Sequence, residues 1–122
     1  GNTAYVTLRN GTDCTWGEDL LDIIDVSDRT NPVLLNTLPM ENPHGLAVDG
    51  DLLFVCEGAF GLKIFDITER TQPELIEHIQ NITTYDVLAL NGRLIITGDL
   101  GFLIYDYSDL TDIKLLSTIE LD

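Results

Sequence analysis

At 122 residues the chain has room for one compact core and no more. It is 44% apolar, yet no apolar run approaches the roughly 18 residues of a membrane span. Twenty-one acidic against six basic residues leave a net charge of −15, which argues against nucleic acid and anionic membrane surfaces, since both are gripped by clustered Lys and Arg. A cationic partner, divalent cations, a high-salt habitat or a plain solubilising surface all suit that charge.

In chain order, strands are predicted at Thr3–Thr7, Leu20–Val26 and Val33–Leu38, with the insertion RNGTDCTWGED (Arg9 to Asp19) after the first. Four more follow at His44–Val48, Leu52–Cys56, Leu62–Ile67 and Glu74–Ile79, and four at Tyr85–Leu90, Leu94–Thr97, Phe102–Tyr107 and Ile113–Ile119. The runs are short, rich in Ile, Val, Leu, Phe and Tyr, and bounded by turn residues; none carries a sustained 3.6-residue stripe. VDGDLLFV (Val48 to Val55) and ALNGRLII (Ala89 to Ile96) place Asp49-Gly50 and Asn91-Gly92 between apolar runs. Such dipeptides suit a type I′ hairpin turn, with positive φ at both central residues. LLFVC (Leu52 to Cys56) is apolar at successive positions, so both of its faces need covering.

The text repeats. DIIDVSDRTNPVLL (Asp22 to Leu35) returns as KIFDITERTQPELI (Lys63 to Ile76) and as LIYDYSDLTDIKLL (Leu103 to Leu116). The anchor aspartates Asp25, Asp66 and Asp106 stand 41 and 40 residues apart. Ser27, Thr68 and Ser108 follow two residues later, and Thr30, Thr71 and Thr111 five later. A period near 40 marks a solenoid, propeller or array. The fold class expected is all-β: a β-propeller segment of about three four-stranded antiparallel blades, the first lacking its opening strand, as a single unit over 1–122 with blades near 1–43, 44–84 and 85–122. One carboxylate per repeat is expected to serve a local turn, because Ser, Thr and Asp side chains bond nearby backbone N–H groups. Pro32 and Pro73 then fix φ at the entry to an outer strand.

LLDIIDVSDRTNPVLL and GLKIFDITERTQPELI resemble the LVIVD repeat of bacterial and archaeal β-propeller proteins; GFLIYDYSDLTDIKLL is similar but has Ile113 where the proline stood. The resemblance implies a propeller, commonly exported or surface-attached, hence an extracytoplasmic, secreted or cell-surface setting. It carries no shared catalytic motif. Propellers have four to eight blades, and a ring of six or seven needs roughly 250 to 290 residues. Three units are therefore expected to belong to a longer propeller or to close by self-association.

On the usual propeller threading, one face collects the loops that do not repeat, where function is usually hosted. The candidate binding residues there are Asp13, Trp16, His44, Glu57, Asp86 and Asp99. Trp16 offers a partner contact or a cap on the blade edge. His44, Glu57, Asp86 and Asp99 offer oxygen and imidazole donors to a divalent cation, or are solvated loop groups; no cofactor is called for by any spacing motif. Cys14 and Cys56 are either one disulfide, suited to an exported protein, or two unrelated thiols. Two functions follow: a non-catalytic scaffold binding a protein or glycan through the loop face, or a metal-assisted hydrolase or lyase with an acidic pocket at the channel. No nucleophile elbow or phosphate-cradling glycine loop supports the second.

Overall fold

The computed structural model describes residues 2–9 and 19–120. Strands β1 (Thr3–Leu8), β2 (Leu20–Asp25) and β3 (Val33–Pro39) form a three-stranded antiparallel sheet. A four-stranded sheet follows from β4 (Leu46–Asp49), β5 (Leu52–Cys56), β6 (Leu62–Asp66) and β7 (Glu74–Ile79). A second comprises β8 (Asp86–Leu90), β9 (Arg93–Gly98), β10 (Gly101–Asp106) and β11 (Lys114–Glu120). In every sheet the strands pair in chain order, giving three propeller-like blades of which the first lacks its opening strand.

The repeated text makes the same device three times. Asp25 Oδ1 accepts from the Ser27 N–H at 2.8 Å, Asp66 Oδ1 from Thr68 at 2.7 Å and Asp106 Oδ1 from Ser108 at 2.8 Å. The Thr68 and Ser108 hydroxyls donate to the same oxygens at 2.6 Å. Asp28 and Asp109 hold Thr30 and Thr111 in the same way. These bonds favour the ionised form, so Asp25, Asp66, Asp106 and Asp109 lie below the ordinary carboxylate range, chiefly through the Ser or Thr hydroxyl and then the backbone N–H. The outer strand then skips one residue in each blade: Ile23/Ile24 face Asn36/Leu34, Ile64/Phe65 face Glu77/Leu75, and Ile104/Tyr105 face Ser117/Leu115. A bulge at one fixed repeat position bends each outer strand alike.

The hairpins differ from the sequence expectation in one detail. Asn91 (φ 51°) and Gly92 (φ 81°) form the two-residue turn of the third blade, both with positive φ as a type I′ turn requires. In the second blade Asp49 stays in β4 opposite Leu52, so the turn is Gly50-Asp51 with positive φ only at Gly50 (57°). That is the type II′ pattern, which needs glycine at its first central position and admits aspartate at its second. Glycine sits one place earlier in this turn than in the other, which accounts for the shift.

β5 sits between two cores. Phe54 and Cys56 point to the third blade and join Leu62, Ile64, Val87, Leu94, Ile96, Tyr105 and Tyr107. Leu53 and Val55 point to the first blade and join Leu21, Phe65 and Ile67. All four β5 side chains are fully buried, each stabilising the fold by about 1.5–3 kcal/mol for the larger ones. This is the physical meaning of an unbroken apolar run: β5, an inner strand of the middle blade, has no wet face. Polar ties cross the same junctions. Tyr107 Oη donates to Asp49 Oδ2 at 2.5 Å, Tyr5 Oη to the Arg70 carbonyl at 2.8 Å, and Asn36 Nδ2 to the Thr71 carbonyl at 2.7 Å.

Candidate functional site

The loops from β3 to β4, from β5 to β6 and from β7 to β8 meet on one face of the blades. The Gly45 N–H leaves the β4 ladder and donates to the Tyr85 carbonyl of the next blade at 2.8 Å. Gly58 and Thr84 exchange backbone bonds at 3.0 and 2.9 Å. Glycine is needed at both places: a methyl on Gly45 would collide with the Asp86 carboxylate, and one on Gly58 (φ 57°) with the Asn42 amide. These close approaches fix the loops of blades two and three against each other.

His44 lies at the centre of the face, half-buried. Its carbonyl accepts from the Thr7 hydroxyl at 2.7 Å. Its ring meets Tyr85 edge-on, with centroids 5.3 Å apart, and its Nε2 lies 3.4 Å from the Arg9 guanidinium. Burial, then the positive Arg9, push the imidazole below its ordinary pKa against a weaker upward pull from Glu57. The ring is therefore neutral at pH 7, and Nε2 is the acceptor for Arg9, leaving the proton on Nδ1. Arg9, Asn42, neutral His44 and Tyr85 together make a donor-rich rim with an aromatic wall. That chemistry suits hydroxyl, carbonyl or carboxylate oxygens.

Glu57 belongs to the scaffold below this rim. It is fully buried, its Oε2 is 2.8 Å from Lys63 Nζ, and both its oxygens accept from the Glu41 N–H at 3.2 Å. Lys63 also reaches Glu41 Oε1 at 3.4 Å. Burial alone would lower the Lys63 pKa, but the hydrogen bond and charge of Glu57, with Glu41, raise it, so the ammonium is held protonated. A carboxylate committed to a lysine and a backbone N–H is a clamp on the β3–β4 loop and has no free oxygen for a proton transfer. The Thr84 hydroxyl, also fully buried, donates to the Gly61 carbonyl at 2.6 Å and accepts from the Glu57 N–H at 3.2 Å.

The remaining candidates separate. Asp86 is exposed beside His44 and Tyr85, and its Oδ1 accepts from the Val87 N–H at 2.9 Å. Asp99 lies elsewhere, on a cavity of about 250 Å³ shared with Asn81, Ile82, Thr83, Leu100 and Leu103. Among the described residues no three of His, Cys, Asp and Glu are grouped so as to hold a metal ion. Cys56 is a buried free thiol whose pKa burial pushes up to about 12, while Asp13, Cys14 and Trp16 lie outside the described residues. Lys63, Thr84, Arg9 and Tyr85 were not singled out from sequence. A signal for Lys63 does exist: it is a lone cation inside an apolar run, at the repeat position held by Asp22 and Leu103 in the other blades.

A family model of the LVIVD repeat matches residues 15–38 and 43–81. The chain belongs to the LVIVD-repeat family. No curated protein matches it. The two LVIVD matches end at residue 81, ahead of the third copy with its Ile113. That copy nevertheless keeps the strand order, the anchor turn and the outer-strand bulge. The third blade thus forms the same turn and bulge with Ile113 in place of the proline. The protein is accordingly an all-β, propeller-like LVIVD-repeat scaffold, and among its described residues no helix is long and apolar enough to cross a membrane.

Proposed function

We propose that this LVIVD-repeat scaffold is a non-catalytic binding module that takes a protein or glycan partner on its loop face. The observation that carries the reading is the division of labour among polar groups. The repeated carboxylates and Glu57 are consumed by turns and by the Lys63 clamp, whereas Arg9, His44, Tyr85 and Asp86 are non-repeating and gather at one rim. An aromatic wall beside guanidinium, imidazole and carboxylate groups supplies the stacking surface and paired hydrogen bonds by which sugars and peptide side chains are held. The reading sets the protein outside the cytoplasm, secreted or at the cell surface, in keeping with the export common among propellers of this repeat type. Titration of the ¹⁵N-labelled chain with a panel of neutral and acidic oligosaccharides and a lysine-rich peptide tests the binding claim. Saturable shifts at His44, Tyr85 and Asp86 that vanish in Tyr85→Ala support it; no shift at the rim with any probe overturns it.

A further inference from the structure

The junction between the second and third blades repeats the junction between the first and second, with one cluster of side chains exchanged as a group. The His44 N–H donates to the Cys56 carbonyl at 2.7 Å and the Tyr85 N–H to the Thr97 carbonyl at 2.8 Å, which equates His44 with Tyr85 and Cys56 with Thr97. Counting from these pairs, Glu41 equates with Ile82 and Glu57 with Gly98. Lys63 and Leu103 share a place on the third strand of their blades, opposite Val55 and Ile96. The Glu41–Lys63–Glu57 ion cluster of one junction is therefore Ile82, Leu103 and a bare glycine in the next.

The place that the ions fill in the first junction is open in the second. It is the cavity of about 250 Å³, with Ile82, Leu100 and Leu103 as apolar walls and Gly98 among its lining. No side chain can close it from position 98, because a Cβ there would collide with the Thr83 carbonyl. Ile82 and Leu103 pack on the core shared by the two blades, so the cavity belongs to a junction interior to the chain. Its polar groups are uncommitted: among the described residues the side chains of Asn81, Thr83 and Asp99 make no hydrogen bond or ion pair. Asp99 is the one charged residue among the described residues that line it, in a chain of net charge −15. Apolar walls with a few polar groups to fix orientation are how small-molecule sites are built. Benzene occupies an apolar cavity of about 150 Å³, so about 250 Å³ takes a single ring with a short side chain.

We propose that this cavity is a second binding site, which takes a small organic amine: one apolar ring against Ile82 and Leu103, and an ammonium at Asp99 with the Asn81 amide oxygen as a further acceptor. Such a ligand does from outside what Lys63 does from within at the first junction, where an apolar stem carries an ammonium to buried and half-exposed carboxylates. The carboxylate has moved by one residue, from the place of Glu57 to Asp99 beside Gly98. The site is apart from the His44 rim and does not rest on binding there.

Titration of the ¹⁵N-labelled 122-residue chain at pH 7 with 2-phenylethylamine, its neutral isostere 2-phenylethanol and the anion 3-phenylpropionate is the test. The amine is expected to give saturable shifts at Ile82, Gly98 and Leu103 with a Kd of about 1 mM or tighter, as suits a ligand of about nine non-hydrogen atoms. The alcohol should bind about 5-fold more weakly, and Asp99→Asn should remove that preference while leaving alcohol binding as it was. Asp99 is exposed and makes no bond among the described residues, so this variant keeps the fold. Leu103→Trp fills the cavity and should abolish binding of amine and alcohol alike in a chain whose spectrum stays dispersed. No saturable shift at these residues with any probe overturns the site, as do shifts centred on the exposed Leu88 and Leu90 instead. Equal or tighter binding of the alcohol or the carboxylate, or a preference for the amine that survives Asp99→Asn, overturns the assignment of an amine held by Asp99.

Discussion

Replacing Lys63 with Met removes the charge and keeps most of the stem. Glu57, fully buried, then retains only the Glu41 N–H as donor and loses the ammonium at 2.8 Å. Breaking a buried pair by removing one partner costs about 3–5 kcal/mol, because the other charge is left uncompensated. Against a total stability of about 5–15 kcal/mol that is a large share. At this chain length about 1 kcal/mol shifts Tm by roughly 3–5 °C, so a fall of about 9–25 °C is expected. Urea unfolding at pH 7 reads it as a lower midpoint with unchanged slope. Glu57→Leu in the Lys63→Met background removes the stranded charge and should recover at least half of the loss, the Glu41 N–H remaining the uncompensated part. A Lys63→Met chain within about 1 kcal/mol of wild type refutes the clamp.

Cys56 should resist alkylation at pH 8 in a Cys14→Ser chain until the fold opens, because burial pushes its thiol to about 12; rapid labelling in native buffer contradicts this. Tyr107 is pushed up to about 12 from 10.0, by burial first and then by the bond to Asp49 and the charge of that carboxylate. A raised pKa means that its contribution is whole below pH 10 and is lost between pH 10 and about 12. Tyr107→Phe should flatten the decline of Tm over that window, and an unchanged profile counts against the link. The anchor carboxylates behave in the opposite sense. Their lowered pKa values give a contribution present above about pH 4 and lost as pH falls below it. Asp66→Ala should therefore lower Tm at pH 7 more than at pH 3, and leave any loop-face binding unchanged; lost binding would give the repeated aspartates a role beyond the turn.

The blades were legible in the sequence because each physical demand leaves its own mark at a fixed period. Asp25, Asp66 and Asp106 mark the turn, LLFVC marks a strand covered on both sides, and asparagine before glycine marks a type I′ hairpin. Gly50 defeated the last rule because DGD offers glycine to either of two turn frames, and register against Leu52 decides between them. The site was legible only in part. His44, Glu57, Asp86 and Asp99 were expected together on the loop face; in the structure His44 and Asp86 lie beside Tyr85, and Glu57 is buried below them. Sequence could not divide them into rim and scaffold, since that depends on Lys63 reaching Glu57 across the β5–β6 hairpin and on Tyr85 crossing between blades. Asp99, on the two-residue loop between β9 and β10, lines a cavity apart from that rim.

The central claim is that one repeat builds stacked blades around a middle sheet whose successive residues face opposite neighbours. Nuclear Overhauser contacts from β5 of the labelled chain test it most directly. Phe54 should contact the Tyr107 ring, whose centroid lies 4.9 Å away, while Leu53 should contact Leu21 in the first blade. Phe54 and Leu53 reporting the same neighbouring blade would contradict the stacking and the repeat-based account built upon it.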